Sequence, residues 1–320
     1  MEKNLHGTVI RNTGSHYVVE TEDGRELPAK VKGKFRIKGI RTTNPVAVGD
    51  IVEVAPTDDP ATWLITAISP RRNYIIRRAS NLSKESHIIA SNIDLAALVV
   101  TLAEPCTSTT FIDRFLCTAE AYGVPAVLVV NKTDLLSDPD SRELLDGMAY
   151  LYRSIGYPVI GVSAKTGQGM DSLRDLLRDK ITLLSGNSGV GKSTILNAVV
   201  PDACARVGAI SDVHHTGMHT TTFSELYHLP GGGSIIDTPG IRGFGTIDFN
   251  RYEVAHYFPE IFRISRNCRF DNCTHTHEPG CAVRRAVEDA LISQSRYAAY
   301  LSVLEDATEG AGSDKYRKPF

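Results

Sequence analysis

Ile181-Thr182-Leu183-Leu184 is an apolar run that passes through Ser185 into Gly186-Asn187-Ser188-Gly189-Val190-Gly191-Lys192-Ser193, and a helical pattern follows from Thr194 to Val200. The turn carries the G-x-x-x-x-G-K-[ST] spacing between a predicted strand and a predicted helix. Glycines let the backbone curl until successive N–H groups point at one oxyanion, and the helix N-terminus adds its partial positive charge. Lys192 then reaches β- and γ-phosphates, and the Ser193 hydroxyl can ligate Mg²⁺. Gly186 through Thr194 are therefore the predicted phosphate-binding residues of a nucleoside-triphosphate site.

Upstream, strand and helix patterns alternate. Ile93 to Leu102, Pro125 to Val130 and Tyr157 to Val162 read as strands, with helices at Phe111 to Tyr122, Ser141 to Ile155 and Met170 to Leu177. Apolar strands joined by helices predict a mostly parallel sheet covered on both faces. Asn131-Lys132-Thr133-Asp134 follows the second of these strands. A carboxylate there can accept hydrogen bonds from the guanine N1–H and exocyclic amine, a pair that adenine does not offer. Asn131 and Lys132 would brace the loop and cover the base. Ser163-Ala164-Lys165 follows the third strand, where the Ala164 N–H can reach the guanine O6. Alone, Asn131 to Asp134 is weak, because Asn and Asp are common turn residues. Together, one β-α unit apart, the two motifs predict guanine.

Downstream lie Gly217-Met218-His219-Thr220-Thr221-Thr222 and, after Ser234-Ile235-Ile236, Asp237-Thr238-Pro239-Gly240. Asp237 would hold Mg²⁺ through water, Thr221 (with Thr220 its competitor) would close the metal shell, and the Gly240 N–H would sense the γ-phosphate. Base-reading motifs precede the phosphate loop, the reverse of the order in Ras-like GTPases, so the domain reads as circularly permuted. Ile241 stands where those enzymes carry a water-orienting glutamine, which leaves His219 as the predicted catalytic residue. Its competing reading is a plain surface-loop histidine. Slow intrinsic hydrolysis, stimulated by a partner, is the expectation.

With 320 residues and 42% hydrophobic content, the chain is long enough for two or three domains with packed cores. A net charge of −2 excludes a polycation, so nucleic-acid contacts must come from local patches. The stretch Met1 to His6 lacks an apolar signal core, and no run of about eighteen apolar residues occurs. Three cysteines are scattered and three crowd between positions 268 and 281, a usage that predicts a reducing compartment, the cytoplasm.

Residues 1–73 show five short runs split by turn residues: Leu5 to Ile10, His16 to Glu20, Glu26 to Val31, Asp50 to Val54 and Trp63 to Ile68. They predict an OB-type β-barrel. Lys30, Lys32, Lys34, Arg36 and Lys38 fall in one stretch without acidic residues, which reads either as an RNA-contacting face or as a charge-guarded edge strand. Pro70 to Asn73 reads as a linker to a GTPase domain over 74–250. In the helical remainder, 251–320, Cys268, Cys273, His275 and Cys281 form a closed set typical of structural zinc. His277 is the rival for the histidine place, and Thr308 to Ser313 reads as disordered.

In combination these motifs resemble the ribosome-small-subunit-dependent GTPase family known as RsgA, YjeQ or EngC. The resemblance rests on Asn131 to Asp134, Ser163 to Lys165, Gly186 to Ser193, His219 to Thr222, Asp237 to Gly240 and the cysteine-histidine cluster. It implies a cytoplasmic bacterial factor that binds the small ribosomal subunit and its rRNA late in maturation and leaves after GTP hydrolysis; a monomer is the separate expectation for this chain. It also implies His275 as the zinc ligand and His219 as the hydrolysis residue. Met218 departs from the polar or basic residue that family members often carry. Two other functions compete: a regulatory GTPase whose partner is a protein, and an RNA-binding protein whose nucleotide site is only structural.

Overall fold

The computed structural model describes residues 4–31, 45–78, 86–201, 224–238 and 249–312. The five expected N-terminal strands form as β1 (Leu5–Asn12), β2 (Tyr17–Thr21), β3 (Glu26–Val31), β4 (Ile51–Pro56) and β5 (Trp63–Ile68). β1 pairs with β2 and β4, β2 with β3, and β4 with β5, all antiparallel, while β3 runs parallel to β5 and closes the barrel. Alternation turns Val9, Tyr17, Val19, Leu27, Val52, Val54 and Ile65 into one core. A bulge between Val9 and Arg11 lets Val9 face the barrel while Ile10 joins the core of the nucleotide unit.

Pro70 to Asn73 is not a loose linker. Arg71 donates through Nε and Nη2 to the two oxygens of Asp50, both at 2.6 Å, and Asp50 is fully buried. Ser91 Oγ and the Ala47 N–H donate to the same carboxylate. A hairpin that the sequence did not announce follows, β6 (Tyr74–Arg78) with β7 (Ser86–Ser91), and its Ile75 and Ala90 enter the nucleotide core.

Next come β8 (Leu95–Val100), α1 (Thr109–Ala121), β9 (Ala126–Val130), α2 (Pro139–Ile155), β10 (Val159–Gly161), α3 (Met170–Leu177), β11 (Ile181–Ser185), α4 (Lys192–Val199), β12 (Ser224–His228) and β13 (Ser234–Asp237). Helix α1 is capped by the Ser108 side chain; α2 is capped by Asp138 and opens on Pro139, two residues before its apolar pattern begins. The strand order is β10-β9-β8-β11-β13-β12, and β12 continues into β1 of the barrel. Pairs from β10 to β13 are parallel; β12, which also escaped the sequence reading, is antiparallel. Leu98, Leu128 and Leu183 pack under α1 and α2, whereas Val99, Val129 and Leu184 pack under α3 and α4. Burial on both faces explains why these strands read as unbroken apolar runs.

The C-terminal unit holds a short 3-10 turn at Val254–Tyr257, then α5 (Pro259–Ser265), α6 (Ala282–Glu288) and α7 (Gln294–Gly312). Helix α7 extends through Thr308 to Gly312, so the disorder expected from Thr308 is not observed over those residues; Ser313 lies outside the described residues. Phe258, Ile261, Val283, Tyr300 and Val303 share a core with Cys117 of α1. Beside it Arg296, fully buried, donates to both oxygens of Glu260 and to Asp113 Oδ1, which also accepts from Tyr152.

Candidate functional site

The phosphate loop leaves the C-terminal end of β11, near the middle of the sheet, and enters α4. Gly186 and Gly191 have φ of 146° and 93°, and a Cβ would collide with the Val99 carbonyl at the first and the Asn131 amide at the second. Only glycine meets both demands. Lys192 Nζ donates to the carbonyls of Gly186 and Asn187 at 2.7 and 2.8 Å, so the ammonium is already folded across the loop. Burial lowers its pKa and the nearby Asp237 opposes that shift. Asn187, Ser188, Gly189 and Val190 complete the turn, with Ser193 and Thr194 exposed in the first turn of α4.

Asn131, buried at the end of β9, ties three loops together. Its Nδ2 donates to the Val190 carbonyl at 2.9 Å and its Oδ1 accepts from the Ala164 N–H at 3.1 Å. Lys132, in the left-handed region at φ 64°, donates from Nζ to the Glu104 carbonyl at 2.6 Å. The Thr133 N–H donates to Val162, and Ser163 Oγ donates to Asp134 Oδ1 at 2.6 Å. Lys165 is exposed on the same loop. The structure thus brings the phosphate loop, Asn131 to Asp134 and Ser163 to Lys165 to one edge of the sheet. Glu104, in the loop after β8, is a further member; nothing in its local sequence marks it, because only its carbonyl is used.

Asp237 ends β13, 5% exposed, and the adjacent Thr238 donates to the Leu184 carbonyl at 3.4 Å. His219, Thr220, Thr221, Thr222, Gly240 and Ile241 lie outside the described residues, as do Lys32, Lys34, Arg36 and Lys38; Lys30 is exposed at the end of β3.

Cys268, Cys273, His275 and Cys281 bring their ligand atoms within 4.8 Å of one another. His275 Nδ1 lies 3.6 Å from Cys268 Sγ and 3.5 Å from Cys281 Sγ, and the two sulfurs are 3.9 Å apart. A tetrahedral ion with bonds of about 2.3 Å to sulfur and about 2.0–2.1 Å to nitrogen requires separations of about 3.8 and 3.6 Å. The donor set can hold a metal ion of that kind. Burial raises the Cys273 and Cys281 thiols and lowers the His275 imidazole, so a cation must displace protons from both thiols. His277 is exposed and bonds Thr276 instead. Around the cluster, Tyr297 and Tyr300 donate to the carbonyls of His275 and Thr274, while Glu278 accepts from the N–H groups of Thr274, Thr276 and His277. An acid closing a Thr-rich turn was the available signal for Glu278.

Comparison with known proteins agrees with this geometry. Residues 68–247 match the model of the RsgA GTPase and residues 6–64 that of the RsgA N-terminal domain. The chain is 57% identical over 316 residues to the small ribosomal subunit biogenesis GTPase RsgA of Phocaeicola vulgatus, covering 99% of this chain and all of the relative. It is 56% identical to the protein of the same name from Porphyromonas gingivalis, with equal coverage. Among solved structures, YjeQ from Thermotoga maritima superposes with a TM-score of 0.75 at 33% identity, covering 96% of this chain and 99% of that one. YloQ, a circularly permuted GTPase, gives 0.71 at 29% identity, covering 100% and 98%. With a nucleotide-binding edge of permuted order, a barrel before it and a cysteine-histidine cluster after it, the chain belongs to the RsgA GTPase family.

Proposed function

We propose that the chain is a GTP hydrolase acting late in maturation of the small (30S) ribosomal subunit. It binds the subunit and its rRNA, hydrolyses GTP faster on the subunit, and leaves afterwards. Full-length likeness to small ribosomal subunit biogenesis GTPases supports the process. The observation that carries the nucleotide reading is the Asn131 side chain, bonded at once to the phosphate loop and to the Ala164 N–H.

In this reading Asp134, oriented by Ser163, accepts from the guanine N1–H and amine. The Ala164 N–H turns from Asn131 toward the guanine O6, while Lys132, Thr133 and Lys165 frame the base. Gly186 through Thr194 wrap the phosphates, and Lys192 exchanges its two carbonyl partners for phosphate oxygens. Ser193, Thr221 and Asp237 would hold Mg²⁺, which when bound neutralises charge that develops on the phosphates. The Gly240 N–H senses the γ-phosphate, and His219 orients the attacking water. Cys268, Cys273, His275 and Cys281 hold one structural zinc, consistent with a donor set that leaves no open position. Lys30, Lys32, Lys34, Arg36 and Lys38 contact rRNA phosphates. The units divide at 1–73, 74–250 and 251–320, and the protein works as a monomer bound to its subunit. The cytoplasm is the proposed compartment; among the described residues no helix is long and apolar enough to cross a membrane.

GTP turnover, alone and with purified small subunits, tests the reading in wild type and His219→Ala. Stimulation lost in the variant is the expected result. Stimulation kept would reassign the catalytic residue, and none in wild type would remove the subunit as partner.

A further inference from the structure

β12 is the seam between barrel and nucleotide sheet, paired with β1 on one side and β13 on the other. Arg11 lies opposite Glu225, and Glu225 lies opposite Asp237. Directly opposed residues of antiparallel strands share a face, with Cβ atoms about 4.5–5.5 Å apart. Glu225 is 7% exposed and Asp237 5%, so two carboxylates are buried side by side. Their neighbours on that face, Tyr227, Ile235 and Leu184, pack with Val190 and Ile195 of the phosphate loop and α4.

Paired carboxylates at that spacing repel unless cations flank them. Arg11 supplies one cation, donating from Nε at 3.1 Å and Nη2 at 2.5 Å to Glu225 Oε1, while Tyr227 donates to Oε2 at 3.0 Å. The hydrogen bonds from Arg11 to Glu225 hold the Arg11 guanidinium above its ordinary pKa. Lys192, folded across the phosphate loop, is a second cation within electrostatic reach of Asp237.

We propose that Arg11, carried by the barrel, and Glu225 are positioning residues that set the negative charge beside Asp237, and with it the balance between divalent-cation and polyphosphate binding at the nucleotide site. The inference rests on the reading of Asp237 as the magnesium carboxylate. While Arg11 is seated, its charge offsets that of Glu225. Once Arg11 is withdrawn, Glu225 keeps its Tyr227 hydrogen bond but its charge is no longer offset by Arg11, which favours a divalent cation and disfavours phosphates. The seat of the barrel on β12 thereby reaches nucleotide affinity without touching the nucleotide.

The test is the affinity of fluorescent GDP in EDTA and in excess Mg²⁺, expressed as the ratio of the two dissociation constants. Arg11→Met is expected to weaken binding in EDTA about tenfold and to widen the ratio, an order set by one unit charge at about 6 Å in a partly solvated site. Arg11→Lys stays near wild type, and Arg11→Met/Glu225→Gln returns to within about twofold of it. Glu225→Gln alone leaves the barrel strand intact and shifts the ratio the opposite way. An unchanged ratio in both Arg11→Met and Glu225→Gln, or a double variant no closer to wild type than Arg11→Met, overturns the inference. Asp237→Asn separates the two layers. If it fails to flatten the ratio, the metal reading falls and this inference with it; if it flattens the ratio while the Arg11 and Glu225 variants do not move it, the inference falls alone.

Discussion

The Asp134 carboxylate accepts from the Ser163 hydroxyl through one oxygen, so its orientation is set before a base arrives. An amide in its place would present a donor to the guanine amine, where an acceptor is needed. Asp134→Asn is therefore expected to cost GTP affinity at least about a hundredfold, the scale of a site left with unpaired polar groups. Xanthosine triphosphate, which carries a carbonyl where guanine has that amine, should gain affinity instead. Competition of each nucleotide against labelled GDP measures this, and equal loss for both would argue against Asp134 as the base reader. The Asp50–Arg71 pair makes a contrasting case. Breaking it with Arg71→Met strands a buried carboxylate, and urea unfolding should show a loss of about 3–5 kcal/mol. The place of Asp134, on the loop that Asn131 ties to the phosphate loop, was legible because a turn after an apolar strand is itself the signal; its role as base reader is the proposal. Asp50 was not, because its partners Arg71 and Ser91 arrive from distant sequence, and its surroundings read as an ordinary turn.

Among the elements, the turn that carries the cysteine-histidine cluster shows how a small unit is held. Glu278 collects three backbone N–H groups and the Thr274 hydroxyl. Burial alone would raise its pKa, but the hydrogen bonds from Thr274 and its neighbours outweigh that and hold it at about 2, against an ordinary 4.5. A carboxylate depressed in the folded state contributes stability above its unfolded pKa and loses it as pH falls through the folded one. The melting temperature of Glu278→Gln should lie a few degrees below wild type at pH 7, and the gap should close between about pH 4.5 and 2. A gap independent of pH would assign the effect to shape alone. If the cluster holds a metal ion as proposed, chelation should lower the melting temperature of the C-terminal unit while GDP binding persists, since Cys268, Cys273 and Cys281 belong to that unit's core. Simultaneous loss of GDP binding would contradict this. β12 escaped the sequence reading for a related reason. Ser224-Glu225-Leu226-Tyr227-His228 has an acid at a buried position, and the cation that permits it sits 214 residues away.

Across the whole molecule, the C-terminal unit is fastened to the nucleotide domain through α1. Arg296 reaches Asp113, and Arg114 reaches Asp306 at 2.7 Å and Ser302 at 2.6 Å. The buried guanidinium constrains any displacement of this unit as a body: such a displacement must carry α1 along or strip Arg296 of Asp113. Arg296→Met, which leaves Glu260 and Asp113 buried without that cation, should destabilise by about 3–5 kcal/mol and make the C-terminal unit melt apart from the nucleotide domain, giving two thermal transitions. One transition at the wild-type temperature would show the clamp to be dispensable.

The sheet itself runs without a break from β10 to the barrel. A chain trimmed of residues 1–68, to isolate the hydrolase, would strip β12 of its pairing with Arg11 and Asn12 and leave it, among the described residues, as the edge strand of the sheet. Such an edge recruits other edges. The shortened protein is expected to self-associate, and the barrel is thus also the cap that keeps each copy of the sheet from finding the next.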